Sequence, residues 1–145
     1  MPIRQVTPQS AVKGFLNRKL DLVRETIIGN LAFVGEQALK QARTGHRYKD
    51  QTGNLTSSIG YCILDNGRAV FESDFATVLN GKKGSEEGRK FLRRLISKNS
   101  KGIVFIMVAG MPYAYYVEAM SLDVLESAER LAKRMVPQIM KALKL

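Results

Sequence analysis

The chain has little of the side-chain chemistry on which metal sites and redox centres depend. Its 145 residues include one cysteine, Cys62, and one histidine, His46. A single cysteine excludes an intrachain disulfide and a cysteine-based metal cluster, and it fits a reducing compartment. Because Cys62 lies in an apolar, strand-like segment, we expect a buried structural thiol rather than a nucleophile. The composition therefore predicts no metal and no cofactor.

Catalytic constellations are equally scarce. A serine–histidine pair would have to use His46, which follows Gly45 in a loop-like segment and is interpreted as an ordinary surface histidine. The stretch GKKGSEEG (81–88) does not match the phosphate-binding pattern G-x-x-x-x-G-K-[ST]. We predict that the protein is not an enzyme, although a small basic ribonuclease needs no histidine and stays open as a minor alternative.

Long hydrophobic runs are absent. The most apolar run, IVFIMVAG (103–110), is far shorter than the roughly 20 residues that cross a bilayer. The first ten residues, MPIRQVTPQS, contain no apolar core of a signal peptide. We therefore expect a soluble protein without a membrane partner.

Acidic residues are few, and the charge is uneven. The chain has 23 lysines and arginines against 13 aspartates and glutamates, which gives a net charge of +10. Residues 81–101 contain eight of the basic residues and only two of the acidic ones. An electrostatic partner is therefore expected to contact this segment.

Apolar residues at steps of three and four predict a long first helix, from Thr7-Pro8 to about Arg43. At ~1.5 Å per residue such a helix is roughly 50 Å long, more than a compact domain of this size needs. A helix that extends beyond its own domain can find its partner on another copy. The apolar face of this helix is formed by Val12, Leu16, Leu20, Val23, Ile27, Leu31, Val34, Ala38 and Ala42.

The middle of the chain predicts a turn and a β-hairpin. The stretch DQTGNLTSSI (50–59) is rich in residues that bend a chain. Asn66-Gly67 then joins two β-prone runs at 57–64 and 68–73, and this dipeptide favours a type I′ hairpin turn. Residues 103–110 are interpreted as a central strand covered on both faces, with a further edge strand at 113–118.

Two more helices complete the prediction. Residues 85–98 form a short amphipathic helix capped by Ser85, and the glycines around it suggest a mobile, basic helical excursion over 81–101. The last helix begins near Ser121 and contains Pro137, which should kink it. We thus predict a single α+β domain over 1–145: a long N-terminal helix and a C-terminal helix packed on a small antiparallel β-sheet with a hairpin. The expected core residues are Leu55, Ile59, Ile63, Val70, Val104, Ile106 and Val108.

Two clusters are candidate contact surfaces. The basic cluster is either a solvated face or a contact for DNA or an acidic partner, and it consists of Lys82, Lys83, Arg89, Lys90, Arg93 and Arg94. The tyrosine cluster either completes the core or forms an interface, and it consists of Tyr113, Tyr115 and Tyr116, with Glu118 beside them.

Taken together, the order of elements resembles the HK97 gp10-like family of tailed-phage neck and tail-completion proteins. The first matching motif is Thr52-Gly53-Asn54-Leu55-Thr56-Ser57-Ser58-Ile59, of the form T-G-x-L-x-x-S-I. The second is Tyr113-Ala114-Tyr115-Tyr116-Val117-Glu118, of the form Y-A-x-Y-V-E.

The resemblance implies a structural, non-enzymatic function in a bacteriophage or prophage virion. The expected subunit is made in the bacterial cytoplasm and joins copies of itself into a homo-oligomeric ring between portal and tail, with DNA passing through the middle. Its partners would be other neck, portal or tail proteins, with possible non-specific contact to DNA. The alternative that the +10 charge supports is a basic nucleic-acid-binding module.

Overall fold

The computed structural model describes residues 9–46, 48–112, 114 and 124–142. Its fold is α+β, as predicted: a long N-terminal helix, a C-terminal helix and a three-stranded antiparallel sheet. The elements in chain order are α1 (Gln9–Thr44), α2 (Asn54–Ser57), β1 (Ile59–Asp65), β2 (Arg68–Glu72), α3 (Lys82–Ile96), β3 (Ile103–Ala109) and α4 (Glu126–Ala142).

The first helix is continuous over its 36 residues, which corresponds to a length of about 54 Å. Glycine weakens a helix, yet none of Gly14, Gly29 and Gly35 interrupts it. Its predicted start at Thr7-Pro8 lies outside the described residues. Its end, at Thr44, is within one residue of the predicted one.

The hairpin prediction is confirmed. Strands β1 and β2 pair antiparallel across Asn66 and Gly67, whose φ values of 51° and 85° are both positive, as a type I′ turn requires. Within the described residues the strand order is β2-β1-β3, so β1 occupies the central position that the sequence interpretation gave to β3. The predicted edge strand at 113–118 lies outside the described residues.

The two faces of the sheet are covered by different helices. On one face, Ile59 packs with Ala38 of α1 and Ala128 of α4. On the other face, Cys62 and Leu64 pack with Leu92 of α3. Alternate residues of β1 therefore enter two separate core clusters, which explains why residues 59–64 are all buried.

Most of the expected core is confirmed, with one error. Leu55, Ile59, Ile63 and Val108 are buried, and the half-buried Val104 and Ile106 pack against the α3 cluster. Val70, however, is 48% exposed. The pairing register shifts between Ile63 and Leu64, so Val70 has no partner in register, and all five residues of β2 are exposed.

The stretch at 50–59 is not only a turn. Residues 54–57 form the single-turn helix α2, so the first strand begins at Ile59 rather than at residue 57. Gly53 precedes α2 with a φ of 79°, the left-handed conformation that glycine adopts without strain.

Helix α3 packs onto the sheet and onto α2. It begins at Lys82 after Gly81, so Ser85 is not its cap; the buried Ser85 hydroxyl lies 2.9 Å from that of Thr77. Glycines in this region permit close packing. A Cβ atom at Gly84 would be 1.9 Å from the carbonyl oxygen of Asn54.

Helix α4 runs antiparallel to α1. Its first turn lies beside the C-terminal part of α1, where the Gln41 amide donates to the Ser127 hydroxyl at 3.3 Å. Further along, Ala132 lies near Phe105, which is closer to the hairpin end of the sheet. Pro137 lies inside α4, whereas the predicted cap Ser121 is outside the described residues.

Candidate assembly interface and basic surface

The N-terminal part of α1 projects beyond the rest of the described fold. The ion pair between Arg24 and Asp65, at 2.9 Å, joins α1 to the hairpin end of β1. Before it, every residue from 10 to 22 is exposed except the half-buried Gly14. We call residues 10–22 the α1 overhang; at ~1.5 Å per residue it extends roughly 20 Å.

The overhang exposes more large apolar side chains than a helix that stays in solvent would need. Phe15 is 58% exposed, Leu20 is 64% exposed and Leu22 is 63% exposed. Val12 and Leu16 are also among the exposed large apolar residues. Exposed apolar residues that are contiguous on one element are typical of an interaction surface, whereas single ones are ordinary.

A second exposed apolar area lies over the edge strand β2. Phe71 of β2 stacks on Tyr61 of the central strand, with ring centroids 5.6 Å apart. Tyr61 in turn donates a hydrogen bond to Glu36 of α1. Phe33 precedes Glu36 by three residues and therefore lies on the same side of the helix. We call Phe33, Val70 and Phe71 the β2 surface; all three are exposed.

Tyr61 is the residue that fixes α1 above the sheet. Its side chain is fully buried, and its ring lies against Gly35. The hydroxyl donates to Glu36 Oε1 at 2.6 Å and lies 3.2 Å from the carbonyl oxygen of Ala32. Burial, together with the hydrogen bond to the Glu36 carboxylate, raises the pKa of Tyr61 well above its usual value.

The predicted basic cluster is a single exposed face of α3. Its buried face carries Gly84, Ser85, Gly88 and Leu92. The opposite, solvent-facing side carries all six predicted basic residues, Lys82, Lys83, Arg89, Lys90, Arg93 and Arg94. We call these six residues the α3 basic face.

Acidic residues lie at the border of this face. Glu87 pairs with Lys90 at 3.9 Å, an exposed contact that contributes little to stability. Arg89 and Arg93 line a small groove together with Glu72 and Asp74. Arg94 lies over the ring of Phe91, 5.4 Å from its centroid. The net positive potential of α3 is therefore strongest away from the β2 side.

The predicted tyrosine cluster lies outside the described residues. Tyr113, Tyr115, Tyr116 and Glu118 are all in this part of the chain, so their predicted place in an interface stays a prediction. The neighbouring Ala114 is buried in the core cluster that joins α1, α4 and β1.

The first family-like motif acts as a structural joint. The Ser57 hydroxyl accepts from the backbone N–H of Val78 at 2.8 Å, and the Asn54 side-chain oxygen accepts from the N–H of Gly84 at 3.1 Å. The Ser58 carbonyl oxygen accepts from the N–H of Gly110 at 3.0 Å. One short segment thus connects the loop before α3, α3 itself and the end of β3.

The two residues considered as catalytic candidates are His46 and Cys62, and both lie in environments typical of structural residues. His46 stacks on Tyr48, with ring centroids 4.0 Å apart. Cys62 is fully buried, and burial, with the nearby Glu72 carboxylate, raises its pKa to about 11. A thiol in this state is a poor nucleophile at neutral pH. Among the described residues, no three His, Cys, Asp or Glu side chains come together as metal ligands.

A search of the described helices for a membrane-spanning segment found none. Comparison of the chain with protein families, with curated proteins and with solved structures found no match. The resemblance to the HK97 gp10-like family therefore rests on the two motifs and the order of elements.

Sequence reasoning missed the β2 surface and part of the overhang. Leu22 and Phe33 do not belong to the predicted apolar face of α1, yet both are large and exposed. Phe15, Leu22 and Phe33 lie within about 20° of one another when 100° is allowed per residue. This second line of apolar residues along α1 was the signal in the sequence from which the additional exposed surface could have been predicted.

Proposed function

We propose that this chain is a non-enzymatic structural subunit that assembles with copies of itself. We further propose that the assembly is a ring in the neck or tail of a bacteriophage or prophage virion, between portal and tail. The observation that carries the first proposal is the exposed, apolar α1 overhang. The second rests on the resemblance of residues 52–59 and 113–118 to the tail-completion family.

The energetics favour a protein partner for the overhang. Burying one large apolar side chain from full exposure contributes about 1.5–3 kcal/mol. The five large apolar side chains of the overhang, each about half exposed, would contribute on the order of 5 kcal/mol. Association costs about 4–15 kcal/mol in lost freedom, so the partner must offer an apolar surface of its own. A partially assembled ring would offer such surfaces on each subunit.

The direct test is the oligomeric state of the purified protein, alone and mixed with neighbouring neck, portal or tail proteins. We expect closed oligomers by sedimentation velocity and electron microscopy in at least one of these mixtures. A chain that stays monomeric at high concentration and binds none of these proteins would contradict the proposal.

A double variant tests whether assembly depends on the overhang. Phe15→Asp with Leu22→Asp should abolish assembly, because it places two charges on the surface to be buried. The free energy of unfolding should change by no more than about 0.5 kcal/mol, since both side chains are exposed in the single subunit. The matched control is Asn17→Asp with Ser10→Asp, which adds the same charge to the same exposed segment and should leave assembly intact.

A nucleic-acid-binding module is the second candidate, and the α3 basic face is the observation that favours it. If its six cations contact phosphates, affinity for DNA should fall roughly a thousandfold between 50 and 200 mM salt. Replacing Arg89, Lys90, Arg93 and Arg94 by glutamine should abolish this binding. Replacing Arg130, Lys133, Arg134 and Lys141 of α4 removes the same charge elsewhere and is the control.

The same α3 variant separates the two candidates. Loss of assembly with unchanged DNA affinity would assign the α3 basic face to a protein interface. Loss of DNA affinity with intact assembly would assign it to nucleic acid, including DNA that passes through a ring. Cleavage of RNA by the pure protein would instead support the third alternative, a small basic ribonuclease, and its absence on several substrates would retire it.

A further inference from the structure

We propose that the α1 overhang of one copy packs on the β2 surface of the next copy. This inference rests on the proposed self-assembly and names the contact that carries it. The two surfaces are different parts of the same molecule, so the contact is head-to-tail. Contacts of this kind produce rings when the rotation between neighbours closes, and open filaments when it does not.

The overhang cannot reach the β2 surface of its own molecule. It belongs to one continuous helix with the segment that bonds to Tyr61, and the helix leaves the sheet at the Arg24–Asp65 ion pair. A helix without a break is too stiff to fold back on itself. Any partner for residues 10–22 must therefore lie beyond the hairpin end of the same copy.

The β2 surface is the uncovered part of the helix-bearing face of the sheet. Helix α1 lies over β1 through Tyr61, and α4 lies over β3 near Phe105 and Met107. Phe71 belongs to the same face, because it pairs with Ile63 and stacks on Tyr61. Among the main packing contacts between the described elements, none joins a helix to β2. One further helix would complete this layer.

The overhang is cationic and the α1 border of the β2 surface is anionic, while β2 itself contributes the cation Arg68 on the same face of the sheet. The overhang has three cationic side chains, Lys13, Arg18 and Lys19, against the single anion Asp21. Glu25 and Glu36 lie on the side of α1 that borders the β2 surface, because they are eleven residues apart and so nearly in phase on the helix. Complementary charges beside an apolar contact favour the correct register between partners.

Gly29 supplies an independent observation at the same place. It lies between Glu25 and Glu36 along the helix, where glycine costs about 0.5–1 kcal/mol relative to alanine. No described atom outside its own stretch of helix lies within 4 Å of the position that a Cβ would occupy. The described part of the subunit therefore gives no reason for glycine here, whereas a helix from a neighbour could approach closely.

Cysteine crosslinking tests the contact directly. In a Cys62→Ala background, three overhang variants, Ala11→Cys, Asn17→Cys and Asp21→Cys, would each be mixed with Arg68→Cys from β2 under assembling conditions; Arg68 is exposed and pairs with Asp65, which lies on the α1 face of the sheet. We expect crosslinked dimers with at least one overhang variant, in at least tenfold excess over any variant incubated alone. The control partner is Lys90→Cys, which is exposed on α3 and lies on the opposite face of the sheet.

The outcomes distinguish this inference from the proposed function. Assembly with crosslinks of an overhang variant to itself would indicate a symmetric contact and would overturn the inference alone. Assembly with crosslinks to Lys90→Cys, or with none to Arg68→Cys at any of the three positions, would do the same. Absence of any assembly, alone or with neck proteins, would overturn both.

Discussion

The hydroxyl of Tyr61 donates a 2.6 Å hydrogen bond to the carboxylate of Glu36, and this bond joins the centre of the sheet to α1. It orients the one helix whose N-terminal third extends beyond the fold. The direction of the α1 overhang therefore depends on a buried tyrosine that holds α1 at Glu36, 14 residues beyond the end of the overhang at Leu22.

Replacing Tyr61 by phenylalanine should weaken this joint without emptying the core. The hydrogen bond to a charged acceptor contributes about 1.5–3 kcal/mol, and the freed Glu36 carboxylate is exposed and can be hydrated. We expect a loss of about 1.5 kcal/mol in the free energy of unfolding, measured by urea denaturation. The matched control is Phe71→Leu, which removes the stacked ring but keeps the bond. A loss for Tyr61→Phe no larger than that of this control would contradict the proposed joint.

Alkaline pH should destabilise the fold through two buried groups. The folded-state pKa of Cys62 is raised to about 11, and that of Tyr61 is raised as well, so folding favours the protonated form of each. Their contribution is complete below the unfolded-state pKa and is lost as pH rises, from about pH 9 for the thiol and about pH 10 for the phenol. Stability measured from pH 8 to 11 should fall more steeply for the wild type than for Cys62→Ala. An equal slope would count against the raised pKa.

Ser57 is expected to be essential for the joint at residues 54–58. Its hydroxyl is fully buried and accepts the backbone N–H of Val78, so Ser57→Ala would leave that N–H without its acceptor. We expect a loss of about 1–3 kcal/mol in the free energy of unfolding. Ser97→Ala is the control, because the exposed Ser97 hydroxyl bonds only to the carbonyl of Arg94 and should change stability by less than about 0.5 kcal/mol.

Local sequence signals predicted the elements that depend on local physics. Asn66-Gly67 identified the hairpin, because few residues other than these adopt two consecutive positive φ values. The spacing of apolar residues identified α1, α3 and α4, because each of these helices packs at least part of one face against the fold. These signals can be interpreted without knowing which segments of the chain pack against each other.

The errors concern relationships between distant segments. Residues 103–109 are apolar because α3 and α4 cover the two faces of β3, and being covered on both faces does not place a strand at the centre. The close contact of Gly84 with the backbone of Asn54, thirty residues earlier, could not be predicted from the glycine alone. Val70 was expected in the core because a register shift cannot be seen in a single strand.

Only part of the candidate interface could be predicted from the sequence, for the same reason. Periodicity predicted that α1 is too long for its own domain, and its exposed N-terminal third agrees with that expectation. Periodicity could not show where the sheet ends beneath the helix, because that depends on the Tyr61 and Arg24 contacts. The exposure of Phe33 and Phe71 follows from the absence of a helix over β2 in the described chain.

Replacing Gly29 by alanine should affect the subunit and its assembly in opposite directions. Alanine removes the cost of glycine in a helix, and its methyl group meets no described neighbour, so the free energy of unfolding of the monomer should rise by about 0.5–1 kcal/mol. Asn30→Ala also raises helix propensity but points to a different side of α1, and it is the matched control.

If a neighbouring helix approaches α1 at Gly29, the added methyl group should weaken assembly at least tenfold, while Asn30→Ala should leave it unchanged. Sedimentation equilibrium of both variants at matched concentrations would measure this difference. A variant that is more stable as a monomer and assembles as well as the wild type would mean that nothing approaches α1 at this position. The contact of the overhang would then have to lie elsewhere, because a helix packed over β2 must pass beside residues 25–36.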